Sequence, residues 1–209
     1  MGVPVLIMGR SGSGKSASLR NASEDIFVIN INRKPLPFKA NEHLKVMNCD
    51  EFLKIKASLQ AAYEKGLRVA VIDDAGYLMT SKFMSGHRQA KGNSQFDLYN
   101  EIADNFYNLI KYIADDLPED MIVGVIMHEE MNEMGYTKPK TIGRLLDDKV
   151  CIEGMFTIVL HALKIDGKYQ FATNTDGLDV TKSPIGMFET EYIDNDFQLV
   201  VNKIREYYK

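Results

Sequence analysis

Near-continuous apolar runs recur along the chain at Val3-Pro4-Val5-Leu6-Ile7-Met8, Ile26-Phe27-Val28-Ile29, Val69-Ala70-Val71-Ile72, the stretch 121–127, and Phe156-Thr157-Ile158-Val159-Leu160. Runs with so little polar alternation suit strands covered on both faces, which predicts a mainly parallel sheet flanked by helices. The segments between them carry helical spacing. Over 51–65, Phe52, Ile55, Leu59, Ala62 and Tyr63 form one face, with Asp50 as the expected cap and Gly66 as the stop. Over 96–117, Tyr99, Ile102, Phe106, Leu109, Ile110 and Ile113 make an apolar stripe that reads as core, and Pro118 follows its end. Over 156–162 and 169–173, two short runs separated around Asp166-Gly167 predict an antiparallel hairpin attached to the sheet. Asp196 is the expected cap of a last helix over 197–208, with Leu199, Val200, Ile204 and Tyr207 facing inward.

Two stretches lack either period. Residues 80–94 are polar and contain glycine, and residues 129–141 carry Gly135 and Pro139, so both are expected to be long mobile loops. At 209 residues, 45% hydrophobic and 26% charged, the chain has the composition of one folded α/β domain over 1–209. No run has the length of a membrane span, and no basic segment leads into a cleavable apolar one, so a cytoplasmic protein is expected. Cys49 and Cys151 have no nearby cysteine partner and read as ordinary thiols in a reducing compartment. The net charge of −4 means that any nucleic-acid contact would need a local basic patch.

The most specific chemistry directly follows the first strand. Gly9, Arg10, Ser11, Gly12, Ser13, Gly14, Lys15 and Ser16 form a complete G-x-x-x-x-G-K-S loop. In such a loop glycines let backbone N–H groups turn inward around phosphates, Lys15 puts a point charge on the β- and γ-phosphates, and the Ser16 hydroxyl is a magnesium ligand. From Ala17 onward a helix is expected whose positive end faces the same anion. The third run ends in Asp73-Asp74, the pattern of a Walker B strand whose terminal carboxylate, Asp73, holds magnesium through water. Asp74 is a candidate base for activating the attacking water, and Glu129 competes for that role. The run 121–127 ends in His128-Glu129-Glu130, at the edge where open α/β sheets bind ligands, which makes His128 a γ-phosphate sensor candidate alongside a simpler strand-capping role. A guanine-specific N-K-x-D element is absent, so ATP with Mg2+ is the expected ligand.

Taken together, the N-terminal phosphate loop, Lys34-Pro35-Leu36-Pro37-Phe38-Lys39, the stretch Val71 to Leu78, Met127-His128-Glu129-Glu130 and Lys138 to Gly143 resemble the small phage-type NTP-binding proteins with a RecA-like P-loop ATPase core. That resemblance implies a strand between the phosphate-loop and Walker B strands whose tip reads the γ-phosphate, and ATP-linked work on DNA in recombination or single-strand annealing. It also implies a homo-oligomer, ring or filament, with ATP between protomers, for which Arg144 or Lys140 is the candidate trans-acting cation on a neighbour's γ-phosphate. Asn30-Ile31-Asn32 stands where RecA-type recombinases carry an acidic residue after the second strand, which leaves the catalytic base open between Asp74 and Glu129. Lys82, Phe83, His87, Arg88 and Lys91 in one expected loop, and Lys138, Lys140 and Arg144 in or just beyond the other, are cations and aromatics suited to a single strand.

Two other classes compete with the ATPase. A nucleotide or small-molecule kinase of this size needs arginines converging on two substrates' phosphates, and the chain has seven arginines, scattered singly. A nucleotide-dependent interaction protein that turns ATP over negligibly is favoured by aspartate, in place of glutamate, at 74.

Overall fold

The computed structural model describes all 209 residues. The strands are β1 (Val3–Gly9), β2 (Ile26–Asn30), β3 (Leu44–Asn48), β4 (Val69–Asp73), β5 (Ile122–Met131), β6 (Thr137–Pro139), β7 (Ile158–Ile165), β8 (Lys168–Ala172) and β9 (Tyr192–Asp194). The helices are α1 (Phe52–Glu64), α2 (Gly76–Gly86), α3 (Asn93–Asp115) and α4 (Phe197–Tyr207). One sheet runs in the order β3-β2-β4-β5-β1-β7-β8-β9, with β6 paired to β5. Strands β3, β2, β4, β5, β1 and β7 are parallel; β8 adds antiparallel to β7, as the hairpin pattern predicts, and β9, which the pattern did not reveal, pairs antiparallel with β8. This is the mainly parallel α/β architecture of a P-loop NTPase, with an antiparallel C-terminal hairpin.

The apolar runs are buried on both faces because two cores sandwich the sheet. One joins α1, α2 and α3 to Leu6, Ile29, Ile72 and Val125, and the other joins α4 and Leu19 to Val5, Val28, Val71 and Ile126. Successive residues of each central strand therefore alternate between two apolar environments. In α3 the stripe from Ile102 to Ile113 is fully buried, each such side chain contributing about 1.5–3 kcal/mol of transfer free energy.

Several expectations are corrected by tertiary contacts. Most of 80–94 is helical: α2 extends to Gly86 and α3 begins at Asn93, leaving only 87–92 between them. Phe83 stacks on Tyr99 at 5.6 Å, Lys82 pairs with Glu101 at 2.7 Å, and Gly86 lets Leu98 close against the backbone. A helical hairpin is thus held by a few contacts spaced too unevenly to read as a stripe. The segment 129–141 is not a long loop either. Strand β5 runs on to Met131, turns at Asn132–Gly135, and returns as β6 with Glu129 opposite Pro139. The Asn132 side chain accepts from the backbone N–H groups of Met134 and Tyr136, and Gly135 takes φ +84°, so Asn and Gly supply the turn.

After the phosphate loop the chain forms a six-residue 3-10 helix, Ser16–Asn21, in place of a longer α-helix. Asp50 does not cap α1; it accepts from Arg33, and Glu51 precedes the helix without a side-chain cap. Asp196 does cap α4, accepting from the Gln198 N–H, but Tyr207 is exposed and Phe197 and Val201 are buried instead. Strand β3, mostly exposed at the sheet edge, carries no apolar run that the pattern could reveal. No helix is long and apolar enough to cross a membrane.

Candidate nucleotide site

Strand register brings the chemistry together. Strand β5 lies between β4 and β1, and pairing sets Gly9 beside His128 and Asn30 beside Asp73. The carboxyl ends of β1, β2, β4 and β5 therefore open on one edge, where a cleft of about 410 Å³ is lined by the phosphate loop, Asp73, Asp74, His128 and Lys34.

The loop curls around Lys15. Gly12 and Gly14 adopt φ +79° and +96°, a region that L side chains rarely enter, and a Cβ on Gly14 would meet the Tyr169 ring at 2.8 Å. Lys15 Nζ donates to the carbonyls of Gly9 and Arg10, both at 2.7 Å, and only 6% of the residue is exposed. Burial lowers its pKa, while Asp74, Glu129 and Asp73 pull the other way. Ser11 and Ala17 line the same cleft, and Ser13 is buried at the base of the loop.

Ser16 Oγ donates to Asp73 Oδ1 at 2.8 Å. Burial raises the Asp73 pKa, and the Ser16 hydrogen bond works against that rise. A buried carboxylate touching a hydroxyl is a pair of hard oxygen donors, which fits magnesium better than a soft or nitrogen-seeking metal. No three His, Cys, Asp or Glu side chains cluster to hold a metal alone, so phosphate and water oxygens would complete the coordination.

Asp74 sits in a left-handed backbone conformation, φ +60°, just past the strand end. Its Oδ2 accepts from Asn32 Nδ2 at 2.7 Å and from Lys34 Nζ at 3.1 Å, and His128 Nε2 lies 3.6 Å from Oδ1. Burial works to raise the Asp74 pKa, but the donors Asn32 and Lys34 outweigh it and hold the carboxyl below its ordinary value. Burial and the Lys15 charge lower the His128 pKa, against the pull of Asp74, which favours the neutral imidazole.

Glu129 is placed differently. Its Oε2 lies 2.6 Å from His161 Nε2, its Oε1 accepts from Arg10 Nε at 3.1 Å, and it faces a neighbouring cleft with Arg10 and His161. His161 Nδ1 lies 2.7 Å from Asp179 Oδ2, so each imidazole nitrogen meets a carboxylate. Burial opposes charge on His161, yet the two carboxylates push its pKa up to about 9. Arg10 thus contributes its carbonyl to the Lys15 cradle while its guanidinium ties the loop to β5. Arg144 is exposed ahead of a single π turn, Leu145–Lys149, and does not line the nucleotide cleft. Lys140 is also exposed, and its backbone N–H donates to the His128 carbonyl at 2.8 Å.

Sequence reasoning missed Asn32, Lys34, His161 and Asp179. The unusual Asn30-Ile31-Asn32 and the stretch Lys34 to Lys39 were visible signals after the second strand, without a role attached to Lys34, whereas nothing local marks the His161–Asp179 pair.

The family model for an AAA domain matches residues 1–183, and no curated protein matches the chain. The match spans the phosphate loop, the Walker B strand, the strand between them and the hairpin of β7 and β8. The chain belongs to the AAA-domain family of nucleotide-binding P-loop NTPases.

Proposed function

We propose that this protein binds Mg-ATP in the cleft and hydrolyses it, with nucleotide state controlling assembly and contact with single-stranded DNA. The observation that carries the ATP reading is the contact of Ser16 with Asp73, set beside the Lys15 cradle and followed at once by an ionised Asp74. Ser16 and, through water, Asp73 would hold a magnesium ion, which would supply charge neutralisation to the phosphates. Lys15 would bind the same phosphates from within the loop. Asp74, held below the ordinary carboxylate range, is a weak proton acceptor but a permanent hydrogen-bond acceptor, suited to orienting the attacking water. Neutral His128 beside it can donate to a γ-phosphate oxygen or to that water.

Asp73→Asn is expected to weaken magnesium-dependent ATP binding, while Asp74→Asn is expected to spare binding and lower turnover on the order of 100-fold. Titration with a fluorescent ATP analogue and steady-state phosphate release measure the two effects. Unchanged turnover in Asp74→Asn would remove it as the water-orienting group. Tight ATP binding by the native chain with no turnover would favour a non-hydrolysing nucleotide switch. A kinase reading finds little support, because no arginine lines the cleft.

The DNA reading rests on the resemblance and on exposed cations. Lys82 is paired with Glu101, and Lys138 with Glu130 and Asp147, which leaves Arg88, Lys91, Lys140 and Arg144 as the cations that support it. Replacing Arg88 and Lys91 with alanine is expected to weaken single-strand binding and flatten its salt dependence by roughly one to two phosphate contacts, with ATP binding intact. Anisotropy of a labelled oligonucleotide, with and without ATP, reads this, and light scattering reports assembly. A signal indifferent to nucleotide, from a strict monomer, would refute the DNA and assembly parts. In an assembly, Arg144 is our candidate for the cation that reaches a neighbour's γ-phosphate.

A further inference from the structure

We propose that Lys34 is a γ-phosphate-binding residue supplied by the same chain, which distinguishes a triphosphate from a diphosphate in this cleft; the inference rests on the Mg-ATP reading and deepens it. Lys34 lies in the connection from β2 to β3, far in sequence from both the phosphate loop and the Walker B strand, yet it lines the same cleft as Lys15, Ser16, Asp73 and Asp74. Ser16 and Asp73 mark where the β- and γ-phosphates meet the metal site. Asp74, one residue beyond, is therefore on the γ side, and Lys34 Nζ is 3.1 Å from it.

The backbone around Lys34 is fixed. Its carbonyl accepts from Asn30 Nδ2 at 2.7 Å, and Asn30 is itself buried on β2, opposite Asp73. Arg33, immediately before, is held at φ +56°, a conformation that a non-glycine residue keeps only when its surroundings impose it. Pro35 and Pro37 follow, restricting the chain on the other side, and both line the cleft. The side chain, in contrast, is 62% exposed and reaches across the Tyr77 ring, 5.2 Å from its centroid. An exposed ammonium on a pinned backbone at the mouth of a phosphate site, held only by a surface ion pair, is available to a ligand.

Asp74 is built to release it. Its Oδ2 also accepts from Asn32, and that bond, together with the left-handed backbone at 74, keeps the carboxylate in place when the lysine turns away. An ion pair with a largely exposed partner is weak, so exchanging the Asp74 carboxylate for a more highly charged γ-phosphate is favourable. A diphosphate ends short of Asp74 and offers Lys34 nothing, so the ammonium stays on the carboxylate. In this arrangement Lys34 both reads the third phosphate and, on moving to it, frees one lone pair of Asp74 to hold water.

The experiment compares the native chain with Lys34→Met and Lys34→Arg, measuring the affinities of fluorescent ATPγS and ADP analogues and the rate of ATP turnover. For Lys34→Met we expect ATPγS affinity to fall about tenfold with ADP affinity unchanged, and turnover to fall by about 100-fold; Lys34→Arg should recover part of both. A lysine that merely neutralises Asp74 would lower turnover in Lys34→Met without changing the ratio of ATPγS to ADP affinity, and that result overturns the proposal. Native binding and turnover report separately on the underlying reading. A native chain that binds no ATP refutes both, and one that binds without turnover still yields the affinity ratio that decides the role of Lys34.

Discussion

Replacing Lys15 with alanine is expected to abolish triphosphate binding, lowering affinity on the order of 100-fold or more. Its ammonium is the charge at the centre of the loop, held by two carbonyls at 2.7 Å and shielded from water. Truncating one partner of a buried charge pair costs about 2–5 kcal/mol, and each 1.4 kcal/mol is about tenfold in affinity. Lys34, the other lysine of the cleft, stands on the Asp74 side, out from the buried place under the loop that Lys15 fills. Titration with a fluorescent ATP analogue, beside a circular dichroism spectrum showing that the variant folds, measures the effect. Native-like affinity in Lys15→Ala would remove the loop as the nucleotide site.

The largest effect on stability is expected at His161. Its side chain is 10% exposed and stands between Glu129 and Asp179, themselves 5% and 11% exposed. With a carboxylate at each nitrogen, both N–H groups donate and the ring is an imidazolium. His161→Leu would take the shared cation from two buried carboxylates, leaving Glu129 with Arg10 and Asp179 with the Thr181 N–H, a loss of about 3 kcal/mol from a domain whose whole stability is of the order of 5–15 kcal/mol. The pH dependence has a definite sign. The folded pKa, about 9, lies above the ordinary 6.5, so the stabilisation is complete below about pH 6.5 and is lost as pH rises through 9. A shift of this size corresponds to about 3 kcal/mol. At the acid end the sign reverses: Asp179 is held down to about 2, chiefly by the His161 hydrogen bond against the pull of burial, and its contribution is present above about pH 4 and lost as pH falls toward 2. Urea unfolding at pH 6.5 and pH 9.5 is the measurement. The native chain should lose stability over that interval and His161→Leu should not; equal pH dependence in both would mean that the imidazole is not charged in the folded protein.

This ion network joins regions that the nucleotide site uses. Glu129 follows His128 on β5 and also receives Arg10 of the phosphate loop, so the loop, β5 and the segment at Asp179 share one set of charges. Glu129 is thereby better suited to holding the loop in register than to activating water.

What the sequence determined by itself follows from local chemistry. The G-x-x-x-x-G-K-S loop needs only adjacent residues to define a phosphate cradle, and the apolar runs need only their own composition to demand a sheet buried on both faces. The helices α1, α3 and α4 were legible because one face of each is apolar at regular spacing, and the hairpin because Asp166-Gly167 separates two short β-prone runs. Elements without such a local signature were decided by tertiary contacts. Helix α2 persists because Phe83 and Lys82 find Tyr99 and Glu101 on α3, β6 forms because an Asn-Gly turn folds it onto β5, and the edge strand β3 exists because β2 offers it a ladder. The same division holds in the site. Lys15 and Ser16 are recognisable from a motif in which near neighbours fix the geometry, and Asp73 from the apolar strand it ends, although register alone brings it to Ser16. The surroundings of Asp74 and Glu129 are set by Asn32, Lys34 and His161, 42, 40 and 32 positions away in the chain. Their own segments do not say which carboxylate each one meets, because that depends on strand register and loop closure.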